Sequence, residues 1–123
     1  MKLLALDTSM AACSAAILDT DRDVILARRW VAMERGHAEA LAPMVAEVLQ
    51  QAELHPRDLS RIAVTAGPGT FTGVRIGLAM ARGRGLALGI PVAGLDSLTA
   101  IAANVPPGRP VLVAADARKE EVY

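Results

Sequence analysis

A glycine-rich segment from 66 to 77, AGPGTFTGVRIG, is the part of the sequence whose residue types and spacing could bind a phosphate group. The Walker A motif does not fit, because Val74 stands where that motif has its lysine. The dinucleotide motif does not fit either, since Thr72 occupies the third glycine position and Gly73 comes one residue late. What remains is a glycine-rich turn between a strand and a helix N-terminus, where free backbone N–H groups favour an anion.

Two interpretations of this turn are open at the level of sequence. In the first, its backbone binds an anion and Thr72 is the N-cap of the following helix. In the second, the glycines serve only a tight connection between a strand and a helix. Besides Thr72, the residues that would form the anion site are Gly67, Gly69, Thr70 and Gly73.

Composition limits the classes of function. The chain has 123 residues, 53% of them hydrophobic, and a mean hydropathy of +0.36, which excludes a disordered protein. Thirteen basic and thirteen acidic residues give a net charge of zero, so direct binding of nucleic acid is not expected. The single cysteine excludes an internal disulfide, and no apolar stretch reaches the roughly 18 residues of a membrane span. These features predict a cytoplasmic protein without a membrane partner.

Hydrophobic periodicity predicts the elements that position the glycine-rich turn. Three short apolar segments near the N-terminus indicate an antiparallel meander, and strands and helices alternate after residue 60, which indicates parallel strands with crossover helices. The predicted strands are 3–7, 13–18, 24–31, 61–66, 90–95 and 111–115, and the predicted helices are 38–53, 74–88 and 97–103. Pro43 must lie in the first turn of its helix or kink it.

Small residues recur every four positions in the helix predicted at 74–88. One row contains Gly73, Gly77, Ala81, Gly85 and Gly89, and a second contains Ala79, Gly83 and Ala87. Each glycine costs a helix about 1 kcal/mol relative to alanine, so this composition indicates close packing against another backbone. Either the protein's own sheet or a partner helix could provide that backbone.

Four segments together resemble the TsaB/YeaZ family, the bacterial partner proteins in making threonylcarbamoyladenosine (t6A) at position 37 of tRNA. The segments are DTS at 7–9, RGHAEAL at 35–41, the glycine-rich turn and DSLTAIA at 96–102. The resemblance implies an α/β lobe of the actin-like ATPase (ASKHA), ribonuclease H-like fold. Its sheet is mixed and five-stranded, with three antiparallel strands followed by parallel strands and crossover helices. Residues 1–110 would form the N-terminal lobe and 111–123 the start of a second lobe that is truncated or missing.

The resemblance also implies that catalysis has been lost. The family's catalytic paralogue, TsaD, binds a metal through H-x-x-x-H, but here His37 is followed four residues later by Leu41, which cannot coordinate a cation. His37 is therefore expected to be structural, with no metal site and no catalytic residue. Asp7 occupies the position of a magnesium-associated acid in actin-like ATPases, although an aspartate at a strand end is also ordinary turn chemistry. No intrinsic cofactor is expected, and ATP or ADP would bind only in a complex.

The function implied is a non-catalytic scaffold for a TsaD-like paralogue, in a complex that also recruits a TsaE-like ATPase. Helices 38–53 and 74–88 would pack on the equivalent pair of the partner, or form a homodimer when the paralogue is absent. The residues predicted to bind the partner are Leu41, Met44, Val45, Val48, Leu49, Arg75, Gly77, Ala81 and Arg82. The alternative is an ATP-binding phosphotransferase or ATPase, with Asp7 and the loop 67–73 around the phosphates. A metallopeptidase would need a metal at His37.

Overall fold

The first three strands form the predicted antiparallel meander in a computed structural model that describes residues 1–108, 110–118 and 121–122. They are β1 (Lys2–Asp7), β2 (Ala12–Asp19) and β3 (Val24–Ala32), each within two residues of its predicted bounds. Buried and less buried side chains alternate along β1 and β2, the period-2 pattern of strands with one face on the core.

Two parallel strands complete the sheet on the other side of β1. These are β4 (Arg61–Thr65) and β5 (Val92–Leu95), and the strand order is β3-β2-β1-β4-β5. Leu6 pairs with Ala15 of antiparallel β2 on one side and with Val64 of parallel β4 on the other. The mixed five-stranded sheet implied by the resemblance is thereby confirmed.

Both long helices pack on one face of this sheet. Helix α1 (His37–Gln51) follows β3, and helix α2 (Phe71–Leu88) connects β4 to β5, with a short 3₁₀ helix at Pro56–Asp58 between α1 and β4. Pro43 lies inside α1, beyond its first turn, and is exposed. The core lies between the sheet and these helices; its main members are Leu4, Leu6, Cys13, Ala15, Ile17, Leu41, Met44, Val45, Val48, Leu49, Ile62, Val64 and Ala81.

The C-terminal part of the chain departs from the predicted elements. Helix α3 (Ser97–Ala102) is capped by Asp96 as an ordinary N-cap, but the strand predicted at 111–115 is wrong. The apolar run VLVAA indicated a buried strand, yet the structure assigns it to no strand, and Leu112 is 94% exposed. Strands β6 (Asp116–Arg118) and β7 (Glu121–Val122) follow and pair with each other in a separate two-stranded sheet. None of the helices in the described ranges is long and apolar enough to cross a bilayer.

Candidate functional site

The glycine-rich turn enters α2 through a cap that differs from the predicted one. Thr70 is the N-cap residue: its backbone is extended, and its Oγ1 accepts a hydrogen bond from the N–H of Gly73 at 3.1 Å. Thr72, the predicted cap, lies in the first turn of the helix and is exposed. The helix therefore begins at Phe71 rather than at 74, because the hydroxyl that satisfies its first free N–H groups comes two residues earlier.

Close backbone contact explains two glycines of this turn, Gly69 and Gly73. A Cβ atom at Gly69 would lie 2.2 Å from the carbonyl oxygen of Ser9, and one at Gly73 would lie 2.2 Å from that of Thr8. Two hydrogen bonds join the same segments, from the Thr70 N–H to the Ser9 carbonyl at 2.8 Å and from the Thr8 hydroxyl to the Gly73 carbonyl at 2.6 Å. Gly69 and Gly73 are thus accounted for by the packing of the turn on the β1–β2 connection, whereas Gly67 has a positive φ of 104°.

Asp7 joins the carboxyl ends of β1 and β4. Its Oδ1 accepts hydrogen bonds from the Ser9 N–H at 2.9 Å, the Ser9 hydroxyl at 2.7 Å and the Thr65 hydroxyl at 2.7 Å. The bond to the N–H two residues ahead is the local chemistry typical of an aspartate that begins a turn. Because Ser9 also contacts the glycine-rich turn, the structure does bring Asp7 close to the predicted anion loop.

His37 is the first residue of α1 and is buried. Its Nε2 lies 2.9 Å from the carbonyl oxygen of Met10, so this nitrogen carries the hydrogen and donates. The bond ties the start of α1 to the β1–β2 connection, a structural role. Leu41, one turn later, is fully buried in the core. Within residues 1–108 and 110–115, no three histidine, cysteine, aspartate or glutamate side chains group as metal ligands would.

The apolar residues predicted to bind a partner lie in the protein's own core, which corrects their assignment. On α1, the 3.6-residue stripe faces the sheet, and Met44 places its sulfur 3.9 Å from that of Cys13 on β2. On α2, a Cβ at Gly77 would lie 2.8 Å from the Thr8 hydroxyl, so this row packs on the sheet. The corrected residues are Leu41, Met44, Val45, Val48, Leu49, Gly77 and Ala81, all buried.

The sides of α1 and α2 that face away from the sheet form a second surface, which we call the outer helix face. Arg75 and Arg82, also predicted to bind a partner, are exposed on it. Phe71 is 76% exposed and Leu86 is 87% exposed, and the Arg75 guanidinium lies 5.0 Å from the centre of the Phe71 ring. The face also exposes small residues, which are Ala38, Ala42 and Ala46 on α1 and Ala79, Gly83 and Ala87 on α2.

Sequence reasoning did not select Phe71 or Leu86. The available signal was that α2 is apolar nearly all round, so that the sheet cannot cover every apolar side chain. The second row of small residues belongs to this exposed surface, and a Cβ at Gly83 would meet no atom within 4 Å. The two rows of α2 therefore face different surroundings, one the sheet and the other solvent.

Comparison with known proteins gives consistent matches along the whole chain. Residues 31–123 match the family model described as TsaD, tRNA N6-adenosine threonylcarbamoyltransferase. An uncharacterised protein of Mycobacterium tuberculosis is 44% identical over 121 residues, covering 98% of this chain and 56% of the relative. The tRNA threonylcarbamoyladenosine biosynthesis protein TsaB of Bacillus subtilis is 35% identical over 130 residues, covering 100% of this chain and 53% of the relative.

A solved structure agrees with the sequence matches. YeaZ from Pseudomonas aeruginosa superposes with a TM-score of 0.88 at 38% identity, over 98% of this chain and 57% of that chain. The chain thus spans little more than half the length of the relatives it matches. The whole-chain identities, the superposition and the family model agree with one another. The chain belongs to the TsaD family of tRNA N6-adenosine threonylcarbamoyltransferase proteins and, within it, to the TsaB/YeaZ group.

Proposed function

We propose that this chain is a non-catalytic scaffold in the t6A modification of tRNA, acting in the cytoplasm by binding a TsaD-like paralogue through its outer helix face. The modification is named in the relatives called TsaB, one of which is 35% identical over the full length of this chain. The observation that supports the scaffold role is the outer helix face itself, where Phe71 and Leu86 of α2 are exposed and the neighbouring α1 exposes small side chains.

The residues at the positions of the H-x-x-x-H motif, His37 and Leu41, support a non-catalytic role. A metal held by H-x-x-x-H needs a second imidazole one helical turn after His37, but that position is Leu41. The Nε2 of His37 is engaged by the Met10 carbonyl, and the Leu41 side chain is buried in the core. The proposal therefore assigns the chemistry of the complex to the paralogue and none to this chain.

The outer helix face has the composition of a helix-packing surface. The small side chains of α1 and α2 would let partner helices approach closely, while Phe71 and Leu86 would supply apolar area at opposite ends of α2. Arg75 and Arg82 lie on the same helix and would reach carboxylates at the rim. Burial of the exposed Phe71 and Leu86 side chains would favour self-association, so we propose that the chain forms homodimers when the paralogue is absent.

The resemblance to the TsaB/YeaZ family adds an ATPase and a nucleotide to the proposed complex. A TsaE-like ATPase would join the complex, and ATP or ADP would bind only in the assembled complex, with no intrinsic cofactor in this chain. Direct contact with tRNA is not part of the proposed role, because the chain has no net charge and no basic run.

Co-purification tests the interface. The chain is co-expressed with the TsaD-like paralogue of the same genome, as the original sequence, as Gly83→Arg and as Ser60→Arg. Gly83 is exposed and open, so the arginine leaves the fold intact but keeps a partner helix away. Ser60 is exposed outside α1 and α2 and is the matched control. We expect the paralogue to be retained by the original chain and the control but lost with Gly83→Arg; equal retention by all three would contradict the proposal.

A second candidate function is an ATP-binding enzyme of the same fold. It is favoured by one observation, that Ser9 links Asp7 to the glycine-rich turn, which would bring a carboxylate close to a phosphate bound there. Calorimetric titration of the isolated chain with magnesium and ATP separates the two. A dissociation constant below about 0.1 mM would favour the enzyme, because binding of that strength exceeds 5 kcal/mol; no heat of binding favours the scaffold.

A further inference from the structure

The two helices that carry the outer helix face have opposite charge. Helix α1 contains Glu39 and Glu47 and no lysine or arginine. Helix α2 contains three arginines, of which Arg75 and Arg82 are exposed, and no acidic residue. Because the two helices pack side by side on one face of the sheet, the outer helix face has an acidic half and a basic half.

The glutamates of α1 lie on the side away from α2. Glu47 forms an ion pair of 3.6 Å with Arg29 of β3, the edge strand of the sheet on the α1 side. At 3.6 residues per turn, Ala42 lies about 140° around α1 from Glu47, with Glu39 between them. The small residues of α1 therefore line the middle of the outer helix face, and the two glutamates form its acidic rim.

The arginines of α2 lie at the opposite rim. The large exposed side chains of α2 fall within about 60° of one another around the helix and form one ridge, made of Phe71, Arg75, Arg82 and Leu86. Ile76 lies about 100° around the helix from Arg75 and lines a cavity together with the first residues of α1, so that side of α2 faces α1. Gly83 lies within about 20° of Ile76. The small residues of α2 thus also line the middle of the face, and Arg75 and Arg82 form its basic rim.

The two rims match along the helix axes. The first residues of both helices line one cavity, so the helices begin at the same level and run in the same direction. At a rise of 1.5 Å per residue, Glu39 and Glu47 are about 12 Å apart along α1, and Arg75 and Arg82 are about 10.5 Å apart along α2. Glu39 and Arg75 each lie within about 6 Å of the start of their helix.

Two symmetric arrangements bring the outer helix faces of two copies together. A two-fold axis across the helices places α1 on α1 and α2 on α2, which sets glutamates against glutamates and arginines against arginines. A two-fold axis parallel to the helices places α1 of each copy along α2 of the other, at the same level. Glu39 of one copy then meets Arg75 of the other at the rim, and Glu47 meets Arg82 about three turns later. The small residues of all four helices meet in the middle.

We propose that two copies of the chain associate through the outer helix face with α1 of each copy along α2 of the other, and that the acidic and basic rims select this arrangement. This inference rests on the proposed function, because it specifies the homodimer formed when the paralogue is absent. Exposed ion pairs add little affinity individually. Their role is to exclude the arrangement in which like charges meet.

The salt dependence of self-association tests the sign of the charge contacts without any substitution. The dissociation constant of the 123-residue chain is measured by sedimentation equilibrium from about 50 mM to about 500 mM sodium chloride. Attraction between the rims is screened by salt, so we expect the dissociation constant to rise several-fold. A dissociation constant that falls or stays level as salt increases would overturn the proposal.

Charge reversal locates the contacts. Glu39→Arg and Arg75→Glu should each raise the dissociation constant by about tenfold, because each sets like charges together at two symmetric places. Arg28→Glu is the matched control: Arg28 is exposed, and it points away from the helices because its neighbour Arg29 reaches α1. Tighter association after either reversal, or an equal effect of the control, would overturn the proposal. Urea denaturation establishes that each variant is folded.

The double variant Glu39→Arg/Arg75→Glu distinguishes the two arrangements. Two copies of the double variant again bring opposite charges together, so the double variant should associate with itself as the original chain does. A mixed pair brings like charges together, so an affinity-tagged original chain should retain the untagged original chain but not the untagged double variant. Preferential retention of the double variant would place α1 on α1 and overturn the proposal.

Gly83→Arg tests the surface itself, because Gly83 lies in the middle of the outer helix face. This substitution should abolish self-association. Self-association that survives it would place another surface between the copies and overturn the inference, as would a monomeric original chain at about 100 μM. Co-purification with the TsaD-like paralogue remains a separate measurement, so failure of this inference and failure of the scaffold role are distinguishable.

Discussion

Two glycines on α2 should respond in opposite directions to the same substitution. A Cβ at Gly73 would lie 2.2 Å from the Thr8 carbonyl oxygen and 2.5 Å from the Thr70 hydroxyl, which caps the helix. Forcing a methyl group into that space costs about 1–3 kcal/mol, loss of the cap about 1 kcal/mol, and the better helix propensity of alanine returns about 1 kcal/mol. Gly73→Ala should therefore lower the free energy of unfolding by about 1–3 kcal/mol.

Gly83→Ala is the matched control, because a Cβ there meets nothing within 4 Å. Only the propensity effect remains, so the free energy of unfolding should rise by up to about 1 kcal/mol. Urea denaturation followed by circular dichroism measures both changes, with equal slopes confirming that the unfolded states are comparable. If Gly73→Ala matched the original stability, or if Gly83→Ala destabilised the chain, the assignment of the two small-residue rows to the sheet and to the surface would be refuted.

Three further predictions concern buried polar groups. The hydrogen bond from Lys2 at 2.7 Å lowers the pKa of Asp19, so the ionised Asp19 stabilises the fold above its unfolded pKa of about 3.9, and this contribution is lost as pH falls through the lower folded pKa. Asp19→Asn should therefore flatten the dependence of the free energy of unfolding on pH in that acidic range. An unchanged pH dependence would argue against the hydrogen bond. Burial, aided by the charge of Asp7, raises the pKa of the Cys13 thiol. Ellman's reagent at neutral pH should therefore react with Cys13 only after the chain unfolds. Rapid reaction in the native state would contradict the placement of Cys13 in the core. His37→Phe keeps an aromatic ring but leaves the Met10 carbonyl without its donor, which should lower the free energy of unfolding by about 1–3 kcal/mol in urea denaturation. An unchanged free energy of unfolding would contradict the structural role of His37.

The strands and helices up to residue 102 followed from periodicity because local pattern and tertiary burial agree there, whereas the strand predicted at 111–115 did not form. The patterns along β1, β2 and α1 predicted which side of each element is buried. The structure places those sides on the core. The apolar stripe on α1 does not distinguish burial against the protein's own sheet from burial against a partner, because both produce the same 3.6-residue period. Leu41 and Val45 were therefore assigned to an interface although they are buried.

Other details depended on contacts between distant segments. The cap at Thr70 rather than Thr72 follows from the position of the turn against Ser9, which no local pattern encodes. The glycines of that turn matched no phosphate motif, and the positions of Gly69 and Gly73 are explained by contacts with the β1–β2 connection. The acidic rim of α1 and the basic rim of α2 are visible only once the sides of both helices that face the sheet are known.

Reconstitution of the modification tests the central claim most directly. Transfer of the threonylcarbamoyl group from an added activated threonylcarbamoyl donor to unmodified tRNA is measured with the TsaD-like paralogue and the TsaE-like ATPase, with and without this chain. The scaffold account predicts no transfer by this chain alone, transfer by the paralogue only when the chain is added, and loss of that stimulation with Gly83→Arg. Transfer by this chain without the paralogue, or equal transfer by the paralogue in its absence, would contradict the account.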